Sequence, residues 1–240
     1  MTFSPIKFMA SGFTPDIELG NILKYATAIV DASGIELDGD LNILPIPSDA
    51  PPEIPRIQLA SIDKKWRVNV SLERTIISFV EYPFGDKIGI DSAAFCVVAA
   101  ELYSSMVDKL KKNIQRLAFV NELAFQIDSP VVTLSTKLIK DAYIGEGGLF
   151  KIGKKLEIHT FDRVDWSPFS LNSWIRLKTA SITDNSQAEE ILLLELDLNT
   201  LAKDQDPDKI FSTREIKQFY NDISGYGNSI IDTIGKLLGN

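Results

Sequence analysis

The sequence predicts an α+β fold: antiparallel strands packed against two or three helices, one of them a long C-terminal helix. Three observations carry this. Apolar residues recur at helical spacing near residues 15–33, 92–113 and 212–238. Between these stretches lie runs in which apolar and polar residues alternate one by one, the period of a half-buried strand. The strands come in groups instead of alternating singly with helices, which points away from a parallel α/β sheet.

The elements follow in order. Residues 5–10 read as a short first strand. In TPDIELGNILKYATAIVDASG, Thr14 suits a cap, Pro15 the first helical position and Gly34 the end. Leu19, Ile22, Leu23, Ala26, Ile29 and Val30 form its apolar stripe. LNILPIPSDAPPEIP follows, with five prolines between Pro45 and Pro55. Proline cannot donate to a ladder, so this stretch is an extended covering connector.

A three-strand meander comes next, over 56–62, 66–72 and 75–81. In WRVNVSL, Trp66, Val68, Val70 and Leu72 share the face expected to meet a core, and Arg67, Asn69 and Ser71 share the wet one. Asp63-Lys64-Lys65 and Glu73-Arg74 read as the turns. The second helix spans 92–113, capped by Asp91 or Ser92, with Phe95, Val98, Ala99, Leu102, Met106 and Leu110 facing inward. Strands recur at 116–127, 155–163, 172–183 and 190–198. The last helix opens on a capping box, Ser212 to Glu215. Its stripe runs through Ile216, Phe219, Tyr220, Ile223, Ile230, Ile231, Ile234, Leu237 and Leu238, with Gly225 and Gly227 expected to permit a close crossing or a kink.

At 240 residues and 45% hydrophobic composition, the chain has enough apolar material for one sizeable domain. No linker or repeat divides it. A single domain over 1–240 is expected; two structurally related halves meeting near 115–130 stay open as an arrangement within it.

Charge and composition narrow the function. A net charge of −8 argues against a nucleic-acid partner, which needs a concentrated basic surface. The local clusters Lys109, Lys111, Lys112, Arg116 and Lys151, Lys154, Lys155 read as solvated faces. No apolar run approaches the ~18 residues of a membrane span, and the N-terminus lacks the pattern of a secretory signal. One cysteine, Cys96, excludes an internal disulfide and suits the cytoplasm.

Candidate chemistry is sparse. GLFKIGKK, residues 148–155, matches G-x-x-x-x-G-K. Yet Lys155 stands where a magnesium-binding hydroxyl belongs, and the alternation of KLEIHTF offers no helix N-terminus to a phosphate. His159 is the only histidine and Cys96 reads as an inert core residue. Glu195 and Asp197 share a strand face ~7 Å apart, a spacing that suits a divalent metal or acid–base work. They belong to an acidic segment with Glu189 and Glu190, followed by Asp204, Asp206 and Asp208. DQDPD lacks the glycine and final glutamate of a calcium loop.

FDRVDWSPFSLNSWIRLK interleaves aromatic and basic residues. Arg163, Trp166, Trp174 and Arg176 are the candidates for partner binding, since aromatics and arginine dominate interface centres. No catalytic residue, cofactor or metal ligand is assigned.

PPEIPRIQLASIDKKWRVNVSLERTIISF, residues 51–79, resembles a motif in a family of uncharacterised bacterial α+β proteins of about 250 residues. The likeness extends to the layout, including a hydrophobic-acidic strand such as LLLELDLNT and a C-terminal helix. It implies the fold, and no activity or site residue. Two functions are carried forward. One is a non-enzymatic cytoplasmic protein that binds a protein partner or its own copy, as a homodimer to which the C-terminal helix contributes. The other is a small-molecule or metal-dependent enzyme using carboxylates of the 189–197 strand.

Overall fold

A computed structural model describes residues 3–15, 17, 22–47, 49–81, 89–126, 157–184, 187–201 and 208–238. Its described elements are β1 (Ser4–Phe13), α1 (Ile22–Ser33), β2 (Leu41–Ile43), β3 (Ile57–Ala60), β4 (Trp66–Val70), β5 (Arg74–Val80) and α2 (Ser92–Asp108), then β6 (Arg116–Gln126), β7 (Glu157–Trp166), β8 (Phe169–Asp184), β9 (Gln187–Thr200) and α3 (Thr213–Leu238). This is the α+β layout read from the sequence.

All nine strands form one antiparallel sheet, in the order β2-β3-β4-β5-β1-β6-β9-β8-β7. The meander and the second strand group are therefore continuous, because β1 pairs with β5 on one side and β6 on the other. Outward from the β1–β6 seam the order has the same logic in both directions. The opening strand of each half meets the closing strand (β5 or β9), then the middle one (β4 or β8), then β3 or β7. Each closing strand leads into a helix, α2 or α3.

The helices share one face. Phe8, Ala10, Ile57, Val68, Val70, Ile77 and Phe119 of the strands form one core with Tyr25, Ile29, Phe95, Tyr103, Phe219 and Tyr220 of the helices. A smaller cluster lies farther out, where Leu192, Leu194 and Leu196 meet Leu238 and the flank of Ile230, Ile231 and Ile234. Within β4, Val68 and Val70 are fully buried and Trp66 half-buried, while Arg67 is exposed. Trp66 stacks on Phe95 at 5.7 Å and 9°.

Several details depart from the sequence reading. Pro15 lies in a turn and Ile17 in no regular element, so α1 begins later than Pro15; the rest of its predicted first turn, with Leu19 and the side chains of Ile22 and Leu23, lies outside the described residues. Thr14 serves the sheet, its N–H donating to Glu73 O at 2.7 Å. Gly34 does close α1, with φ 65°, a conformation costly for other residues. The β4–β5 turn centres one residue early, on Leu72-Glu73, and Ser71 is buried inside it with its hydroxyl 3.2 Å from Arg74 O. Helix α2 stops at Asp108, ahead of the expected Asn113; Asp91 caps it by accepting from Ala94 N–H at 2.8 Å.

Helix α3 runs unbroken through Gly225 and Gly227. Its apolar stripe is spent on its own sheet: Ile216, Phe219, Tyr220 and Ile223 are fully buried, and only Leu237 of the stripe is exposed. The helix-to-helix dimer contact expected from that stripe thus has little apolar surface left. No helix among the described residues is long and apolar enough to cross a membrane.

Candidate interaction face

Strand alternation sends every second side chain to the face turned away from the three helices. Strand register sorts that face into rows. One row runs through Arg74, Phe13 and Arg116 of β5, β1 and β6, and the next through Ala118, Asn199, Asn172 and Arg163 of β6, β9, β8 and β7. The guanidinium groups of Arg74 and Arg116 lie 5.6 Å and 5.0 Å from the centre of the Phe13 ring, within cation–π range. Arg116 donates to Asn199 Oδ1 at 2.6 Å, and Asn172 donates to the same oxygen at 3.4 Å. Asn199 in turn donates to Asp197 Oδ1 at 2.9 Å.

The neighbouring row holds the aromatic cluster. Phe161 of β7 stands opposite Trp174 of β8, with ring centroids 4.5 Å apart. Arg176 turns its guanidinium over the Trp174 ring at 6.0 Å. Its other partner is Glu195, which it meets in a close ion pair; Lys178 Nζ lies 3.6 Å from the second Glu195 oxygen. Phe161 is 49% exposed, so an aromatic surface braced by cations faces outward here.

Three of the four sequence candidates, Arg163, Trp174 and Arg176, meet on this face. Trp166 does not join them. Its parity in β7 points it to the helix side, where it packs on Phe169 at 5.8 Å, Tyr226 at 5.8 Å and Phe219 at 6.4 Å. The face also gathers Phe13, Arg74 and Asn199, which sequence reasoning missed. They are neighbours only through the pairing of β1 with β5 and β6, and no local spacing announces that pairing.

The remaining candidates separate. Glu195 and Asp197 do share this face, but each carboxylate is already engaged, the first by two cations and the second by an amide. Among the described residues no three His, Cys, Asp or Glu side chains converge as a metal site. Cys96 is buried in α2, where loss of solvent and the Asp91 charge push its thiol well up from the ordinary range. His159 sits on the exposed β7, 2.9 Å from Glu157. GLFKIGKK, Asp204, Asp206 and the Glu189 side chain lie outside the described residues.

No protein-family model matches the chain, and no curated protein sequence matches it.

Proposed function

We propose that this is a non-enzymatic interaction protein that binds a protein partner or a second copy through the face turned away from its helices. The observation that carries the reading is the cluster of Phe161, Trp174 and Arg176: an exposed ring packed at a tilt against an indole, with a guanidinium braced between the indole and Glu195. Rigid aromatics beside arginine cost little conformational entropy on binding and dominate interface energies. Strand-borne side chains are also held more firmly than loop-borne ones, which favours a fixed recognition surface. The single buried, unpaired cysteine suits a reducing compartment, and we place the protein in the cytoplasm.

The test uses cross-linking and light scattering on the purified chain, alone and mixed with cell extract. Trp174→Ala should keep the far-ultraviolet spectrum and lose the associated species that the wild type retains. If the wild type and this variant retain the same species, or none, the reading fails.

A further inference from the structure

The nine described strands form an open sheet with two edges, and the two are treated differently. In the first half, β3 is covered by the short β2, paired through Leu41↔Leu59, Asn42↔Gln58 and Ile43↔Ile57. Its counterpart in the second half, β7, pairs with β8 alone among the described strands. The two edges also differ in length: β7 has 10 residues and β2 has 3. Among the described residues nothing covers either side of the middle of β7. His159, Phe161 and Arg163 are exposed on one face, and Thr160 and Asp162 on the other. A row of unpaired backbone N–H and C=O groups on such an edge is a template for another strand.

We propose that β7 pairs with β7 of a second copy of this chain, antiparallel about a two-fold axis at Thr160, so that one sheet runs through both molecules. The proposal goes beyond the interaction reading above: the second copy meets the edge of the sheet, and the Phe161–Trp174 face stays open to a protein partner.

The edge's own sequence, EIHTFDRVDW, decides the register. Directly opposed residues in an antiparallel pair lie on the same face, so a two-fold pairing must be centred on a residue. The registers that align most of β7 are centred on Thr160, Phe161, Asp162 or Arg163. Centring on Phe161 sets Glu157 against Asp165. Centring on Asp162 opposes that carboxylate to itself, and centring on Arg163 does the same to a guanidinium. Only Thr160 at the axis opposes no like charges. It sets Glu157 against Arg163 on both sides of the axis, and His159 against Phe161 between them. Charges on an edge strand ordinarily discourage pairing. Here their order penalises the wrong registers and rewards one.

The joined sheet would also carry the Phe161–Trp174 clusters of both copies on one continuous face, since a two-fold axis normal to the sheet keeps like faces together. An isologous contact of this kind closes at two copies and does not propagate.

Light scattering after gel filtration of the full chain, in the micromolar range, should give about twice 26.7 kDa. Glu157→Arg and Arg163→Glu, each alone, replace two complementary contacts by two repulsive ones and should weaken the dimer about tenfold or more. The double variant restores both contacts with signs exchanged and should recover the dimer. Both positions are exposed, so all three variants should keep the wild-type far-ultraviolet spectrum and a cooperative unfolding transition. A wild-type monomer, or a dimer indifferent to the reversals, overturns the edge pairing. Neither result decides the broader reading, which is settled by Trp174→Ala, a change to the face and not to the edge.

Discussion

Tyr103 of α2 and Tyr220 of α3 stack on each other, with ring centroids 5.5 Å apart and planes 19° from parallel. Both are fully buried and both end on sheet carbonyls. The Tyr103 hydroxyl lies 2.8 Å from Ala10 O and 3.0 Å from Thr75 O. The Tyr220 hydroxyl lies 3.3 Å from Ser11 O and 3.2 Å from Ala118 O. The pair thus ties the closing helix of each half to the strands on either side of the β1–β6 seam. Burial pushes both phenols well up, so they stay neutral donors.

Removing either hydroxyl keeps the stack and loses a buried hydrogen bond. Tyr103→Phe and Tyr220→Phe should each cost about 1 kcal/mol, the Tyr103 change more because its contacts are shorter. The rings touch, so the double variant should depart from the sum of the singles. Urea midpoints measure all three. Unchanged midpoints would mean that packing alone seats the two helices.

Three glycines invite opposite outcomes. A Cβ on Gly12 would stand 2.7 Å from two Tyr103 ring atoms, and that ring is pinned by its stack and its hydroxyl. Gly12→Ala should therefore cost about 1–3 kcal/mol by overpacking. At Gly225 an added Cβ meets nothing within 4 Å, and at Gly227 its nearest neighbour is 3.8 Å away. Alanine at either should stabilise the helix by up to about 1 kcal/mol. Destabilisation at both would reveal a use for these glycines beyond the single chain.

The two faces of β4 give a second contrast. Trp66 packs on Phe95 and on Phe79, the latter at 5.0 Å, whereas Arg67 is exposed. Trp66→Ala should cost about 3 kcal/mol, the low end for a large aromatic because the indole is only half-buried. Arg67→Ala should stay within about 0.5 kcal/mol. Chemical denaturation of both variants checks this, and equal midpoints would refute the assignment of faces.

The local patterns were readable because each rests on neighbours in the chain. Alternation in WRVNVSL sets the meander and its buried face. The Asp91 cap and the Ser212–Glu215 box are short-range chemistry, and both are in place. What the sequence withheld is long-range. β1 opens the chain, yet it sits at the centre of the sheet, and no residue in Ser4–Phe13 announces that β5 and β6 flank it. For the same reason Trp174 and Arg176 could be singled out from a local aromatic-basic run, but Phe13, with its two arginines, could not. Trp166 shows the limit from the other side. The Ser167-Pro168 turn reverses the chain between it and Trp174, and the strand parity that sends Trp166 inward applies only because β7 continues past 163 to Trp166.

The N-terminus of α3 yields a prediction in which pH is the variable. Ser212 N–H and its hydroxyl donate to Glu215 Oε2 at 2.9 Å and 2.7 Å, and Lys209 Nζ reaches Oε1 at 2.6 Å. Partial burial alone would raise this carboxyl, but the hydrogen bonds from Lys209 and Ser212 outweigh it and hold Glu215 at about 2, below its ordinary 4.5. The folded value is depressed, so the contribution is complete above the unfolded value and fades as pH falls from about 4.5 towards 2. Glutamine can still fill the box as an acceptor, but it cannot pair with Lys209 or favour the helix dipole. Glu215→Gln should therefore cost about 0.5–1 kcal/mol at pH 7, and Glu215→Ala about 1 kcal/mol or more because the box itself is lost. Urea unfolding at several pH values tests the sign. The gap between wild type and Glu215→Gln should close as pH approaches 2, since a protonated glutamic acid and a glutamine are nearly equivalent there. A gap that persists unchanged into acid would show that the carboxylate's charge does not hold this helix end.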